Sequence, residues 1–171
     1  VDFDIKEEDF QKTSADNLRE RLYKEVRDTF SRKTETIAKQ AFPVIKNVFE
    51  QRGEMFKNIV VPFTDGKRAY NVVANLEKTY KSEGDELIRA YEKSIMLAHI
   101  DDAWKEHLRE MDDLKQSVQN ATYEQKDPLL IYKFESFNLF KSMVDKINKN
   151  VVSTLMKGQI PFEAPEEVKQ A

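Results

Sequence analysis

Five side chains able to carry acid–base or metal chemistry fall close together: His99, Asp101, Asp102, Glu106 and His107. Imidazoles flanked by carboxylates are the groups that a divalent metal or a proton relay uses. Their spacing argues against both. Two histidines share a metal when they stand four apart on one helix face. His99 and His107 stand eight apart, about 80° round a helix, and Lys105-Glu106-His107 is not a zinc-protease arrangement. The cluster reads as an ordinary polar helix face. Nucleotide chemistry lacks its motif as well, with no glycine-rich phosphate loop and no Gly-Lys-Ser/Thr. No serine sits in a strand-to-helix elbow that would present a nucleophile. The absence of cysteine excludes disulfides and thiolate zinc sites and is compatible with a reducing compartment. Read by itself, this chain is not an enzyme and has neither cofactor nor metal site.

The aromatic residues are more informative. Trp104, the only tryptophan, fits a core anchor better than a dock for another domain. Tyr132, Phe134, Phe137 and Phe140 also read mostly as core. Yet Tyr132, Phe134 and Phe137 span more than half a helix circumference, and a helix apolar on several sides needs more than one partner. Tyr123 differs, because it stands among polar residues where no periodic core position explains it. Either it folds back over the helix ends, or it offers an amphipathic ring to another chain.

The elements that must position these residues follow from periodicity. Thr13-Ser-Ala-Asp16 fits a capped helix start. Leu18, Leu22, Val26, Phe30, Ile37 and Ala41 then predict a helix from about Ser14 to Gln40. Pro43 should kink or restart it before a second segment, Val44–Lys57. Ile59–Val73 reads as strand, turn, strand. Asp65-Gly66 predicts a tight turn with positive φ at both central residues. Pro62 cannot donate to a ladder, so its strand needs a free edge there. The hairpin should pack on flanking helices through Val60, Phe63, Tyr70 or Val72. Leu76–Tyr80 reads as a short helix.

From Asp85 to about Val118 the helical pattern is strong, and the helix should be about 50 Å long. It carries two apolar tracks. One is Leu87, Tyr91, Ile95 and Ala98, ending at Asp102, and the other is Leu97, Ile100, Trp104, Leu108, Met111, Leu114 and Val118. Asp127-Pro128 restarts a helix, with Asp capping and Pro at the first position. Its seam should hold Leu130, Phe137, Phe140, Val144, Ile147, Val151 and Leu155. Gly158 stops it, and Pro161 and Pro165 forbid continuation. A short loop between two long helices predicts antiparallel packing. The fold class is therefore mainly α: a long antiparallel helical hairpin plus a smaller helical subdomain with a two-stranded β-hairpin.

Composition agrees. Charged residues make up 35% of the 171 and glycines number four, which suits long solvated helices. A net charge of −3 gives no electrostatic case for nucleic acid as a partner. No apolar run approaches the ~20 residues of a membrane-crossing helix. The first residue is Val1, not Met, and the sequence reads as a piece of a longer chain.

One stretch resembles a known family. Asp101, Trp104, His107, Leu108, Met111, Asp112, Leu114 and Gln116 fall on the scaffold pattern of SecA, Asp-x-x-Trp-x-x-His-Leu followed by x-x-Met-Asp-x-Leu-x-Gln. Tyr123–Pro128 is similar to the finger-tip pattern Tyr-x-Gln-Lys/Arg-Asp-Pro, and Tyr132–Phe137 to the start of the second finger helix. These matches cover about Leu87–Leu155, and the N-terminal half resembles the helical wing, most clearly at Asn17–Leu22. The stretch 41–82 looks like an insertion similar to that of the Bacteroidetes branch.

A composition shift near Ser82 divides an N-terminal subdomain, 1–84 with the β-hairpin near 59–73, from the helical hairpin, 85–158, and a flexible tail is expected over 159–171. The resemblance makes the first a helical wing and the second a two-helix finger. It implies a mechanical and regulatory module of a protein-export motor, whose ATP and magnesium would be bound by other domains. The implied partners are the SecYEG channel, preproteins and the remaining SecA domains in cis, at the cytoplasmic side of the inner membrane. The tip residues would be Tyr123, Ala121, Thr122, Glu124 and Gln125. Asp127 and Pro128 would hold the tip, while Trp104, Leu108, Phe137 and Phe140 would stiffen the lever. A competing reading is a free-standing helical adaptor for protein–protein interaction or self-assembly.

Overall fold

A computed structural model describes residues 13–120 and 127–161, apart from the side chains of 119 and 120. Its element order is α1 (Ala15–Arg52), β1 (Asn58–Thr64), β2 (Ala69–Asn75), α2 (Leu76–Lys81), α3 (Asp85–Asn120) and α4 (Pro128–Lys157). The mainly helical class with one two-stranded hairpin is the one read from the sequence. The chain divides into two compact units: Val1–Val61 with Val73–Arg89, and Pro62–Val72 with Ala90–Ala171.

In the first unit, α1 starts where Ser14 accepts a hydrogen bond from the Asn17 N–H. It then runs through Pro43 without a break, contrary to the expected kink or restart. Pro43 and Lys39, whose carbonyl loses its donor, are both exposed. Ile37, Ala38, Ala41 and Ile45 are buried on either side of it and hold the helix together. The earlier half of α1 buries none of its predicted track, and Leu22 is exposed. Tyr80 of α2 stacks on Phe49 at 4.3 Å and lies 6.1 Å from Phe42. Gly84, at φ 103°, lets the backbone approach Ala38, where a Cβ would be 3.1 Å from the Ala38 Cβ.

The hairpin departs from the two-residue turn expected of Asp65-Gly66. Of its turn residues only Gly66 has positive φ. The Asp65 carboxylate instead accepts the N–H groups of Lys67 and Arg68 at 2.9 and 2.8 Å, and the Thr64 hydroxyl bonds Gly66 N and Arg68 O. These side-chain bonds hold a four-residue connection. They also keep the Asp65 carboxyl below its ordinary range, the Arg68 and Lys67 N–H groups being the main causes.

Register follows from two backbone bonds, Asp65 N to Arg68 O and Leu76 N to Lys57 O. Residues 57, 59, 61 and 63 turn their polar backbone groups to β2, and 58, 60, 62 and 64 turn theirs outward. Pro62 therefore sits on the outer edge of β1, where its missing N–H costs no bond to β2. Phe63 and Val72 are fully buried, as expected, whereas Val60 lies on the exposed face and is 60% accessible.

Candidate functional site

The second unit carries α4, most of α3 and the hairpin turn. Three contacts fix the helices as an antiparallel pair. The Tyr91 hydroxyl donates to the Thr154 carbonyl at 3.1 Å, His99 Nε2 lies 2.8 Å from Thr154 Oγ1, and the His107 and Phe140 rings meet edge-on at 6.1 Å. Contacts to α3 move forward along its sequence as contacts to α4 move backward.

At the base of the pair, Phe63 and Tyr91 are both fully buried and stack at 4.3 Å. Burying a side chain of this size contributes about 1.5–3 kcal/mol. Burial, with lesser contributions from the Asp65 charge and Tyr70, raises the Tyr91 hydroxyl well above the ordinary phenol range, so it stays a donor. Gly158 ends α4 as expected, but for another reason. Its φ of −58° is open to any residue. Space is what demands glycine, because a Cβ there would strike the Tyr91 hydroxyl. One residue on, Gln159 pairs with Thr64 through two 2.8 Å backbone bonds. The next outward residue of β1 and the matching residue of the incoming chain are Pro62 and Pro161, neither with an N–H, so the next rung has no donor.

The middle of the pair overturns several expectations. His107 is 7% exposed, so it does not belong to a polar face, and its Nδ1 has no partner among the described residues. Trp104, expected as a core anchor, is 47% exposed, with its ring 5.6 Å from that of His107. Leu108 is exposed too, as are Phe134, Phe137 and Phe140. The buried residues of α4 are Met143, Val151 and Thr154, with Leu139 and Ile147 half-buried. The expected seam was thus out of frame over its first half, and the aromatics face outward. On α3 the buried residues are Leu87, Ile88, Tyr91, Ile95, His107 and Val118, so the first of its two expected tracks is the buried one at Leu87, Tyr91 and Ile95. Larger apolar residues off the seam gave periodicity a second, equally regular answer.

At the other end, Asp127 caps α4 through Leu129 N at 2.9 Å and Leu130 N at 3.3 Å, and Pro128 occupies its first turn. Ala121, Thr122, Tyr123, Glu124 and Gln125 lie outside the described residues.

A polar trough of about 650 Å³ runs between hairpin turn and helices, lined among others by Arg68, Tyr70, His99, Asp102, Lys146 and Lys157. Arg68 pairs with Asp102 at 3.1 Å, both exposed, and such a pair contributes at most about 1 kcal/mol. Among the described residues no cluster of His, Asp or Glu is placed to hold a metal. No helix among them is long and apolar enough to cross a membrane. Phe63 and Tyr91, read from sequence as packing residues, are buried at the base as expected, whereas Thr154 and Gln159, which help hold it, carried no role from sequence. Only Gly158 hinted at them.

These features define a helical scaffold bearing a pinned antiparallel helix pair. The family model described as SecA Wing and Scaffold domain matches residues 2–159, and the chain belongs to that family. Proteins named protein translocase subunit SecA are similar over nearly all of it. That of Phocaeicola vulgatus is 54% identical over 165 residues, covering 96% of this chain and 15% of its own length. That of Bacteroides thetaiotaomicron is 55% identical with the same coverage, and that of Porphyromonas gingivalis 46% identical over 168 residues, 98% of this chain and 15% of its own. The chain thus spans about 15% of the length of these relatives. No solved structure matches it.

Proposed function

We propose that this chain is a non-catalytic mechanical module of a SecA-like, ATP-driven motor that moves preproteins through the SecYEG channel. The helix pair is its lever, and the connection at 121–126 touches the moving polypeptide through Tyr123. ATP and magnesium are handled by other domains of the longer protein, at the cytoplasmic face of the inner membrane. The division at 1–84 and 85–158 into wing and finger belongs to the same reading.

The observation that carries the proposal is the asymmetric support of the pair. Its base is tied by the Tyr91–Thr154 and Thr64–Gln159 bonds. Its connection starts α4 with a capped, proline-bearing turn. A lever fixed at one end transmits displacement to the other. Trp104, Leu108, Phe134, Phe137 and Phe140, exposed here, are surfaces for the remaining domains to cover. The test is Tyr123→Ala in the full-length protein. Preprotein translocation should fall about tenfold or more while the 171-residue chain keeps its circular-dichroism spectrum. Undiminished translocation would remove the role given to Tyr123.

A further inference from the structure

We propose that the polar trough along α4 binds an extended, carboxylate-rich segment of another polypeptide. Uncompensated charge carries the proposal. The trough of about 650 Å³ continues into a second of about 470 Å³ on α4, and the two share Lys146 and Asn150. Eight lysines and arginines but only four carboxylates line them, in a chain whose net charge is −3. The positive excess is therefore local, and a concave surface lined by one sign focuses its potential.

The excess sits on one helix. On α3, Lys105 pairs with Asp101, Arg109 with Glu106 and Lys115 with Asp112, and Asp102 answers Arg68 of the hairpin turn. Along α4, Lys141, Lys146, Lys149 and Lys157 are exposed, and none forms an ion pair among the described residues. Asp145 stands four residues from both Lys141 and Lys149, the spacing at which Glu35 and Lys39 pair at 2.7 Å, yet it engages neither. Lys157 acts on Asp65 only through its field. The described end of the chain does not answer these charges. The trough follows α4 back from the turn at 65–68 to Asn138, whereas the Thr64–Gln159 register carries Gln159–Pro161 along the outer edge of β1, away from that turn.

The lining selects the kind of anion. Asn138, Ser142, Asn150 and Ser153 stand between the lysines. Their side chains both donate and accept hydrogen bonds. A peptide main chain uses both, whereas a phosphate backbone only accepts. No apolar residue lines the second trough, so a lipid surface finds no anchor there. From Lys141 to Lys157 the helix rises about 24 Å, which about seven or eight extended residues span. The guest is a segment of that length with Asp or Glu at alternate positions.

The test uses the 171-residue chain and a blocked peptide of alternating glutamate and serine, about eight residues long. Titration should give saturable amide shifts centred on Lys146 and Lys149, with affinity falling as salt is raised. The same peptide with glutamine for glutamate should bind at least about tenfold more weakly. Lys146→Glu and Lys149→Glu should each weaken binding about fivefold, while Lys115→Glu, with the same change in net charge outside the trough, should change it less than about twofold. Equal weakening by all three folded variants, or shifts confined to other residues, would overturn the proposal. So would tighter binding of a thymidine octanucleotide, which would assign the trough to a phosphate backbone. Two further variants neutralise acids near the chain ends: Glu163→Gln with Glu166→Gln and Glu167→Gln, and Glu7→Gln with Glu8→Gln and Asp9→Asn. Both should leave peptide affinity unchanged. A gain of about fivefold or more in either would overturn the proposal by assigning the trough to this chain's own residues.

Discussion

The base and the outer half of the α3–α4 pair are built from similar residues and hold together differently. At the base, Phe63 and Tyr91 are completely enclosed, the Tyr91 hydroxyl and Gly158 N–H share the Thr154 carbonyl, and Gln159 closes on Thr64. Further out, Trp104, Leu108, Phe137 and Phe140 leave about half or more of their surface open. The difference teaches that apolar content does not set local stability. Enclosure by more than one element does. The hairpin turn supplies that third element at the base, and nothing in this chain supplies it among the described residues further out.

The strongest way to break the comparison is Phe63→Ala. It should cost about 3–5 kcal/mol in urea denaturation, because it empties an enclosed site. A loss below about 1 kcal/mol would mean the base is not the tied end. Next, Gly158→Ala should cost about 1–3 kcal/mol, since the new methyl must displace Tyr91. Tyr91→Phe removes the nearest obstructing atom, so the double variant should be more stable than the sum of the singles. Simple additivity would show that the clash is relieved elsewhere.

Alkali offers a finer probe of the same end. The raised Tyr91 hydroxyl means the native state holds this proton more tightly than the unfolded chain. The contribution is complete below the unfolded phenol value of about 10 and is lost as pH rises above it. One tyrosine should therefore ionise only as the chain unfolds, and Tyr91→Phe should raise the alkaline midpoint. An unchanged midpoint would contradict the burial argument. The smallest effects belong to the outer half. Trp104→Ala and Phe137→Ala should each cost less than about 1 kcal/mol in the isolated chain. Losses comparable to Phe63→Ala would erase the distinction between the two ends.

Most of the element boundaries were legible because their signals are local. Ser14 and Asp127 cap, Pro128 starts, and Gly158 stops. The patterned stretches of α3 and α4 match their helices to within a few residues. Local signals also misled where a neighbour answered them. Pro43 stayed inside α1 because it and Lys39, whose carbonyl loses its donor, are both exposed while the residues Ile37, Ala38, Ala41 and Ile45 of the adjacent turns are buried. Asp65 made its turn through its carboxylate rather than through positive φ.

The candidate site was legible only in part. Tyr123 and its neighbours lie outside the described residues, and the exposure of Trp104 and Phe137 ran against the core role read from their spacing.

Sequence by itself determined the mainly helical class, the hairpin and the membership suggested by the Trp104–Gln116 and Tyr123–Pro128 patterns. Those depend on residue types a few positions apart, and a chain carries such information directly. Only the tertiary structure decided which apolar track is buried, why residue 158 must be glycine and which end of the helix pair is tied. Each of these depends on side chains such as Phe63, Tyr91 and Thr154 that come together from distant positions, and periodicity along one helix holds no record of what arrives from another.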